Sequence, residues 1–162
     1  MILRTTRTRG GSLAPGTGQR SSASGPLRSR KTALTDFAGL GVAETILRAL
    51  RDEGYTRPTP IQARAIPQLL AGGDLLGIAQ TGTGKTCAFA VPIIQRLIAA
   101  PRRQPQPGTT RALVLAPTRE LAVQIAESFR NYGRHAQLRV AVIVGGVSMG
   151  PQVQLISRGL DV

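Results

Sequence analysis

Apolar residues along this chain follow a helical rhythm broken by short unbroken runs, and the pattern begins at about Thr35. Val42, Ile46, Leu47 and Leu50 fall at helical spacing, with Gly54 where such a helix would end. Ile61, Ala65, Ile66, Leu69 and Leu70 form a second helical face. Thr59 at the N-cap, Pro60 at the first turn and Gln62 two residues on open that helix, and Gly72-Gly73 stops it. An apolar run at 75–78 leads through a glycine-rich turn into a helix-like run at 87–99. There Phe89, Ile93, Leu97 and Ile98 share a side, and Pro92 is expected to introduce a kink.

A polar, Pro-rich loop at 101–110 precedes an all-apolar strand at 113–116. The next helix carries Leu121, Ile125, Phe129 and Tyr132 on one face. A third apolar strand at 138–144 ends at Gly145-Gly146, a short helix spans 151–158, and residues 160–162 read as the start of a fourth strand. Strands alternating with helices predict an α/β parallel sheet. Strands without a polar face predict helices on both sides of it.

Composition sharpens this picture. The 162 residues are one domain at most, and 41% apolar content is enough for a core. No apolar run approaches the roughly 18–20 residues of a membrane span, so a soluble protein with no membrane partner is expected. Aromatics at 3% argue against an aromatic base-stacking platform. The formal charge of +13 points to a polyanionic partner. Seven of the basic residues (Arg4, Arg7, Arg9, Arg20, Arg28, Arg30 and Lys31) precede the first acid, Asp36.

That basic segment, residues 1–34, is rich in Ser, Thr, Gly and Pro without periodicity, and it is expected to be disordered. It reads first as a solvated tail, with a nucleic-acid-binding arm and, behind it, an organellar transit peptide as alternatives. The expected location is therefore cytoplasmic, or organellar on the third reading. The single Cys87 allows no internal disulfide, suits a reducing compartment and argues against a disulfide-linked partner. Nothing in the residues specifies an oligomeric state.

The chemistry concentrates in Ala79-Gln80-Thr81-Gly82-Thr83-Gly84-Lys85-Thr86. Strand, glycine turn and helix form the context in which a loop wraps a phosphate. Gly82 and Gly84 let backbone N–H groups approach an anion, and the helix start adds its own unpaired donors. Lys85 would sit on the β- and γ-phosphates, and the Thr86 hydroxyl would ligate Mg2+. Ala79 departs from the general phosphate-loop pattern, which has Gly there.

Around this loop the chain resembles the first RecA-like domain of a DEAD-box ATP-dependent RNA helicase, from about Thr35 to Val162. Gly54-Tyr55-Thr56-Arg57-Pro58-Thr59-Pro60-Ile61-Gln62 is similar to the family's Q motif, with Phe37 as its upstream aromatic. The loop resembles motif I, in which Ala is normal at the first position. Pro117-Thr118-Arg119-Glu120-Leu121-Ala122 resembles motif Ia, and Gly145-Gly146 the GG element. The resemblance implies a 35–63 Q-motif region and a 64–162 part of an ATP-binding domain. Its nucleotide site would comprise Phe37, Tyr55, Arg57 and Gln62 together with residues 79–86. Tyr55 would stack on adenine, and Gln62 would bond its edge. Lys85 and Thr86 would serve catalysis by holding phosphate and Mg2+. Pro117, Thr118, Arg119, Gly145 and Gly146 would meet an RNA sugar-phosphate backbone without regard to sequence. From the residues alone, Gln62 is accounted for as a capping-box partner and Arg119 as an exposed first-turn residue.

Hydrolysis needs carboxylates at the end of an apolar strand, and neither 113–116 nor 138–144 ends that way. By resemblance, the Asp-Glu-Ala-Asp motif and the second RecA-like domain would lie beyond Val162. The chain is thus expected to be an incomplete RecA-like domain that binds ATP and RNA, with an apolar sheet edge left bare.

Overall fold

Each of the anticipated helices forms within a few residues of its sequence signal. The computed structural model describes residues 2–3, 36–80, 82–100 and 105–162. Helix α1 spans Glu44–Asp52, and Gly54 turns the chain at φ +79° with its N–H on Arg51 O. Helix α2 spans Pro60–Leu70 and begins at Thr59, whose N–H donates to Gln62 Oε1 at 2.9 Å. Helix α3 runs unbroken over Lys85–Ala99 with Pro92 inside it. Helix α4 covers Arg119–Tyr132, capped where Leu121 N–H donates to Thr118 Oγ1 at 3.2 Å. Helix α5 spans Met149–Ser157 and buries none of its side chains.

The core is built where α2, α3 and α4 meet. Ile46, Leu50, Ile66, Ile94 and Phe129 are fully buried there, and Phe89 and Phe129 pack with ring centroids 6.2 Å apart. Helix α3 is buried over more of its circumference than one apolar stripe predicts. Cys87 through Pro92 are all buried, because α2 and α4 flank it and Ala88 and Ala90 permit close approach. Leu121, expected on the buried face of α4, is instead exposed in its first turn. Polar side chains fasten the remaining joints. Gln95 receives Ala43 N–H and donates to Gly41 O, both at 2.8 Å, while Arg96 donates to Leu69 O at the end of α2. Asp52 and Glu53 meet Arg134 beyond α4, and His135 lies 3.1 Å from Asp52.

The sheet differs in detail from the expectation. Residues 112–116 and 138–144 are extended, but among the described residues they join no continuous ladder. Thr110 pairs in parallel with Leu160, and Ala112 N–H donates to Asp161 O at 2.9 Å. On the other side Asp161 N–H donates to Arg139 O, and Ala141 N–H to Val162 O. The fourth strand thus enters between the two earlier ones. Its three residues hold only their near ends, and an apolar cavity of about 590 Å³ separates residues 113–116 from 141–144.

The extended segments alternate in burial, as a pleat requires. Val114, Ala116, Leu138 and Val140 pack on the helical core, whereas Ile78 (88%), Leu113 (74%) and Leu115 (84%) are exposed. Among the described residues the helical core thus covers the side of these segments that carries Val114, Ala116, Leu138 and Val140.

Ile2 and Leu3, expected within a disordered tail, form strand β1, antiparallel to β2 at Leu75–Leu76. They are the tail's first apolar pair, and among the described residues β2 has no other partner strand. The other readings of residues 1–34 lie outside the described residues.

Candidate functional site

The phosphate loop and the stretch ahead of it are joined by side chains. Gly82 and Gly84 adopt φ +79° and +85°, a left-handed geometry that glycine takes without steric cost. Gly84 is the N-cap of α3, so Lys85 and Thr86 occupy the helix's first turn, where N–H groups lack intrahelical partners. Lys85 Nζ donates to the carbonyls of Ala79 and Gln80, folding its charge across the loop. Thr83 Oγ1 donates to Gln80 O at 2.9 Å. Thr81 lies outside the described residues.

Gln62 is fully buried and spans both elements. Its Oε1 takes Thr59 N–H, and its Nε2 donates to Gly84 O at 3.2 Å. Thr59 makes a parallel tie, with Oγ1 donating to Thr83 O at 2.9 Å. A methyl group on Gly84 would overlap Gln62 Nε2 and approach Thr59 Oγ1 to 3.4 Å. Gln62 is thus the capping-box partner that its spacing from Thr59 predicts. It completes the cap of α2, and one lone pair and one N–H remain for another partner. The tie through Thr59 was not anticipated, because a capping Thr carries no signal of a second, distant acceptor.

Phe37 is buried in the core, edge-on to Tyr55 at 6.2 Å between centroids. Tyr55 is half-buried. Its ring stands at 88° to Tyr132, and the two hydroxyls are 2.8 Å apart. A recess of about 290 Å³ opens beside them, lined by Phe37, Tyr55, Thr56 and Arg51. Arg57 is exposed on the connecting loop. Burial, then the Tyr55 hydroxyl, raises the Tyr132 phenol well above its ordinary value.

Burial likewise pushes the Cys87 thiol up to about 12, against an ordinary value of 9.0. Its neutral form is thus favoured in the folded state. Between pH 9 and 12 the unfolded chain loses a proton that the folded chain keeps, so stability falls as pH rises. The expected slope from this group is about 1.4 kcal/mol per pH unit. Urea titrations from pH 8 to 11 on the wild type and Cys87→Ala test it; equal pH dependence would contradict the assignment.

The second cluster lies at the far ends of the extended segments. Pro117 and Thr118 lead into α4, and Arg119, its first residue, is exposed. Gly146 turns at φ +73°, and a methyl group there would overlap Arg119 Nη2. Arg119 and the Gly145-Gly146 turn are therefore neighbours, which their separation of 26 residues does not reveal.

Among the described residues no group of three or more His, Cys, Asp or Glu is arranged to hold a metal. Asp161 is buried and engaged, accepting from Arg111 Nη1 and Arg139 N–H, each at 2.9 Å. Thr86 stands half-exposed in the first turn of α3.

Comparison with known proteins now decides the family. The DEAD/DEAH box helicase family matches residues 59–162, more than half of the chain. The chain belongs to that family. It is 45% identical over 129 residues to the ATP-dependent RNA helicase SrmB of Escherichia coli K12, covering 80% of this chain and 29% of that protein. It is 48% identical over 128 residues to DEAD-box ATP-dependent RNA helicase 36 of Arabidopsis thaliana, covering 78% and 25%. Among solved structures it is similar to the RNA helicase Prp28 of Chaetomium thermophilum bound to ADP. There the TM-score is 0.66 at 34% identity, covering 85% of this chain and 32% of that one. A DEAD box protein from Methanococcus jannaschii gives TM-score 0.66 at 32% identity, covering 78% and 33%. This DEAD/DEAH box chain therefore has the RecA-like α/β fold and spans about a quarter to a third of the length of these relatives.

Proposed function

We propose that this chain binds ATP with Mg2+ at residues 79–86 and contacts the sugar-phosphate backbone of RNA, independently of sequence, through Thr118, Arg119 and Gly146. In a whole protein these would be working parts of an ATP-dependent RNA helicase. The observation that carries the reading is the joint between Gln62 and Gly84, reinforced by Thr59 and Thr83. An amide able to read an adenine edge is fixed to the loop able to hold the phosphates, so base and triphosphate are recognised as one ligand. Gln62 is fully buried, so presenting its free donor and acceptor to adenine requires the joint to loosen when nucleotide arrives. Tyr55, with Phe37 beside it, would stack on the base, and Arg57 lies on the loop between Tyr55 and Gln62. Lys85 would leave the Ala79 and Gln80 carbonyls for phosphate oxygens. Mg2+ would be held by Thr86 and by the phosphates themselves, and would neutralise charge between them.

Binding without turnover is the second reading, favoured by the engagement of Asp161 with Arg111. Titration with fluorescent ADP and GDP analogues tests the first part. Adenine is expected to be preferred by about tenfold or more, the worth of one buried hydrogen-bonding group; equal affinities would overturn the adenine assignment. Phosphate release by the same chain is expected to be no faster with RNA than without. RNA-stimulated release would reject the binding-only reading and make Glu120, exposed in the first turn of α4, the acid to replace first.

A further inference from the structure

We propose that Gln152 is a positioning residue for the RNA contact, holding the Gly145-Gly146 turn where the Arg119 guanidinium can lie across it. The proposal rests on the reading of Thr118, Arg119 and Gly146 as an RNA-backbone surface.

Val144 is the last residue before the turn, and both its backbone groups go to this one side chain. Its N–H donates to Gln152 Oε1 at 2.8 Å, and its carbonyl accepts from Gln152 Nε2 at 3.2 Å. The same Nε2 reaches Ser148 O at 3.3 Å on the far side of the turn. One amide therefore fixes both ends of the bend that contains Gly146. It does so as a neighbouring strand would, pairing a donor and an acceptor on the same residue. Helix α5 buries none of its side chains, so apolar packing is not what sets Gln152 in place. Its contribution is polar and local.

The consequence falls on Arg119. Gly146 at φ +73° has no Cβ, and the guanidinium closes over it. The Arg119 side chain is exposed and makes no hydrogen bond among the described residues, so its forked donors remain available to phosphate oxygens. Were the turn to shift, the floor beneath the guanidinium would shift with it. Gln152 thus acts through Arg119 and touches no ligand. Its polar character within a short helix gives no hint of this from the sequence.

The test is a double-mutant cycle on the full chain, read by fluorescence anisotropy with a labelled single-stranded oligouridylate. Gln152→Met keeps the side chain's length and removes its amide. It is expected to weaken RNA binding about five- to tenfold while leaving the affinity for a fluorescent ADP analogue unchanged. Arg119→Ala is expected to weaken binding at least as much and to reduce the salt slope by about one. In the Arg119→Ala background, Gln152→Met should add less than about twofold, because residues that act through one contact are not additive. A merely structural role would give additive losses, or would lower ADP affinity in step, and either result overturns the proposal. If Gln152→Met does not fold, Gln152→Glu supports the same cycle, since it keeps the acceptor for Val144 N–H and opposes both carbonyls. Wild-type chain that binds no RNA would overturn the surface reading and this proposal together. Weakening by Arg119→Ala without weakening by Gln152→Met would overturn this proposal alone.

Discussion

Arg111→Met is expected to destabilise the folded chain by about 1–3 kcal/mol, between the loss for an exposed ion pair and that for a fully buried one. Arg111 sits at a three-way joint. Its Nη1 bonds Asp161 at 2.9 Å, and its Nη2 bonds Leu97 O at 2.8 Å in the last turns of α3. Asp161 also accepts Arg139 N–H, so the pair ties α3 to both extended segments and to the strand between them. Only 9% of the Asp161 side chain is exposed, against 25% of the Arg111 side chain, so solvent screens the pair in part. Methionine fills much of the space but leaves the carboxylate with a single backbone donor. Asp161→Asn removes the charge as well, and because the two bonds fall on different carboxylate oxygens, its amide keeps one acceptor and turns an NH2 towards the other donor. Arg111→Met combined with Asp161→Leu should recover part of the loss, since no charge is then left unpaired. Urea denaturation of the four proteins decides this. A change below about 1 kcal/mol for Arg111→Met would mean that the pair behaves as an exposed one.

Such joints mark the limit of what the residues revealed in advance. Helices α1, α2 and α4 were legible because their apolar spacing and their punctuation (Thr59-Pro60, Gly54, Thr118) act over one or two turns. The phosphate loop was legible for the same reason. Its glycines, Lys85 and Thr86 are contiguous, and their geometry is set locally. What escaped depends on distant partners. The bond from Thr59 to Thr83 spans 24 residues, Arg111 to Asp161 spans 50, and Tyr55 to Tyr132 spans 77. Each joins residue types that are ordinary where they stand. The bare side of the extended segments was illegible for a related reason. An all-apolar strand such as 113–116 states that both faces avoid water, and it does not name what covers them.

Lys85→Ala is expected to separate binding from stability more cleanly than any other single change. Charge-assisted hydrogen bonds contribute about 1.5–3 kcal/mol, so nucleotide affinity should fall by about 10- to 100-fold. Stability should move by less than about 0.5 kcal/mol, as for surface substitutions generally. The reason lies in what Lys85 does without ligand. Its Nζ bonds the Ala79 and Gln80 carbonyls, which lie at a half-buried and an exposed residue where water can take its place. Its loss therefore strands no buried partner, in contrast to Arg111. The backbone cradle of Gly82 and Gly84 and the first turn of α3 remain, so residual phosphate affinity should persist and weaken with salt. Calorimetric titration with ATP and Mg2+, beside a thermal melt of each protein, reads both quantities. Unchanged affinity would mean that the cation never leaves the loop carbonyls, and that the phosphates are held by the backbone alone. A large fall in melting temperature would mean instead that Lys85 is a structural clasp, with binding lost only because the loop is.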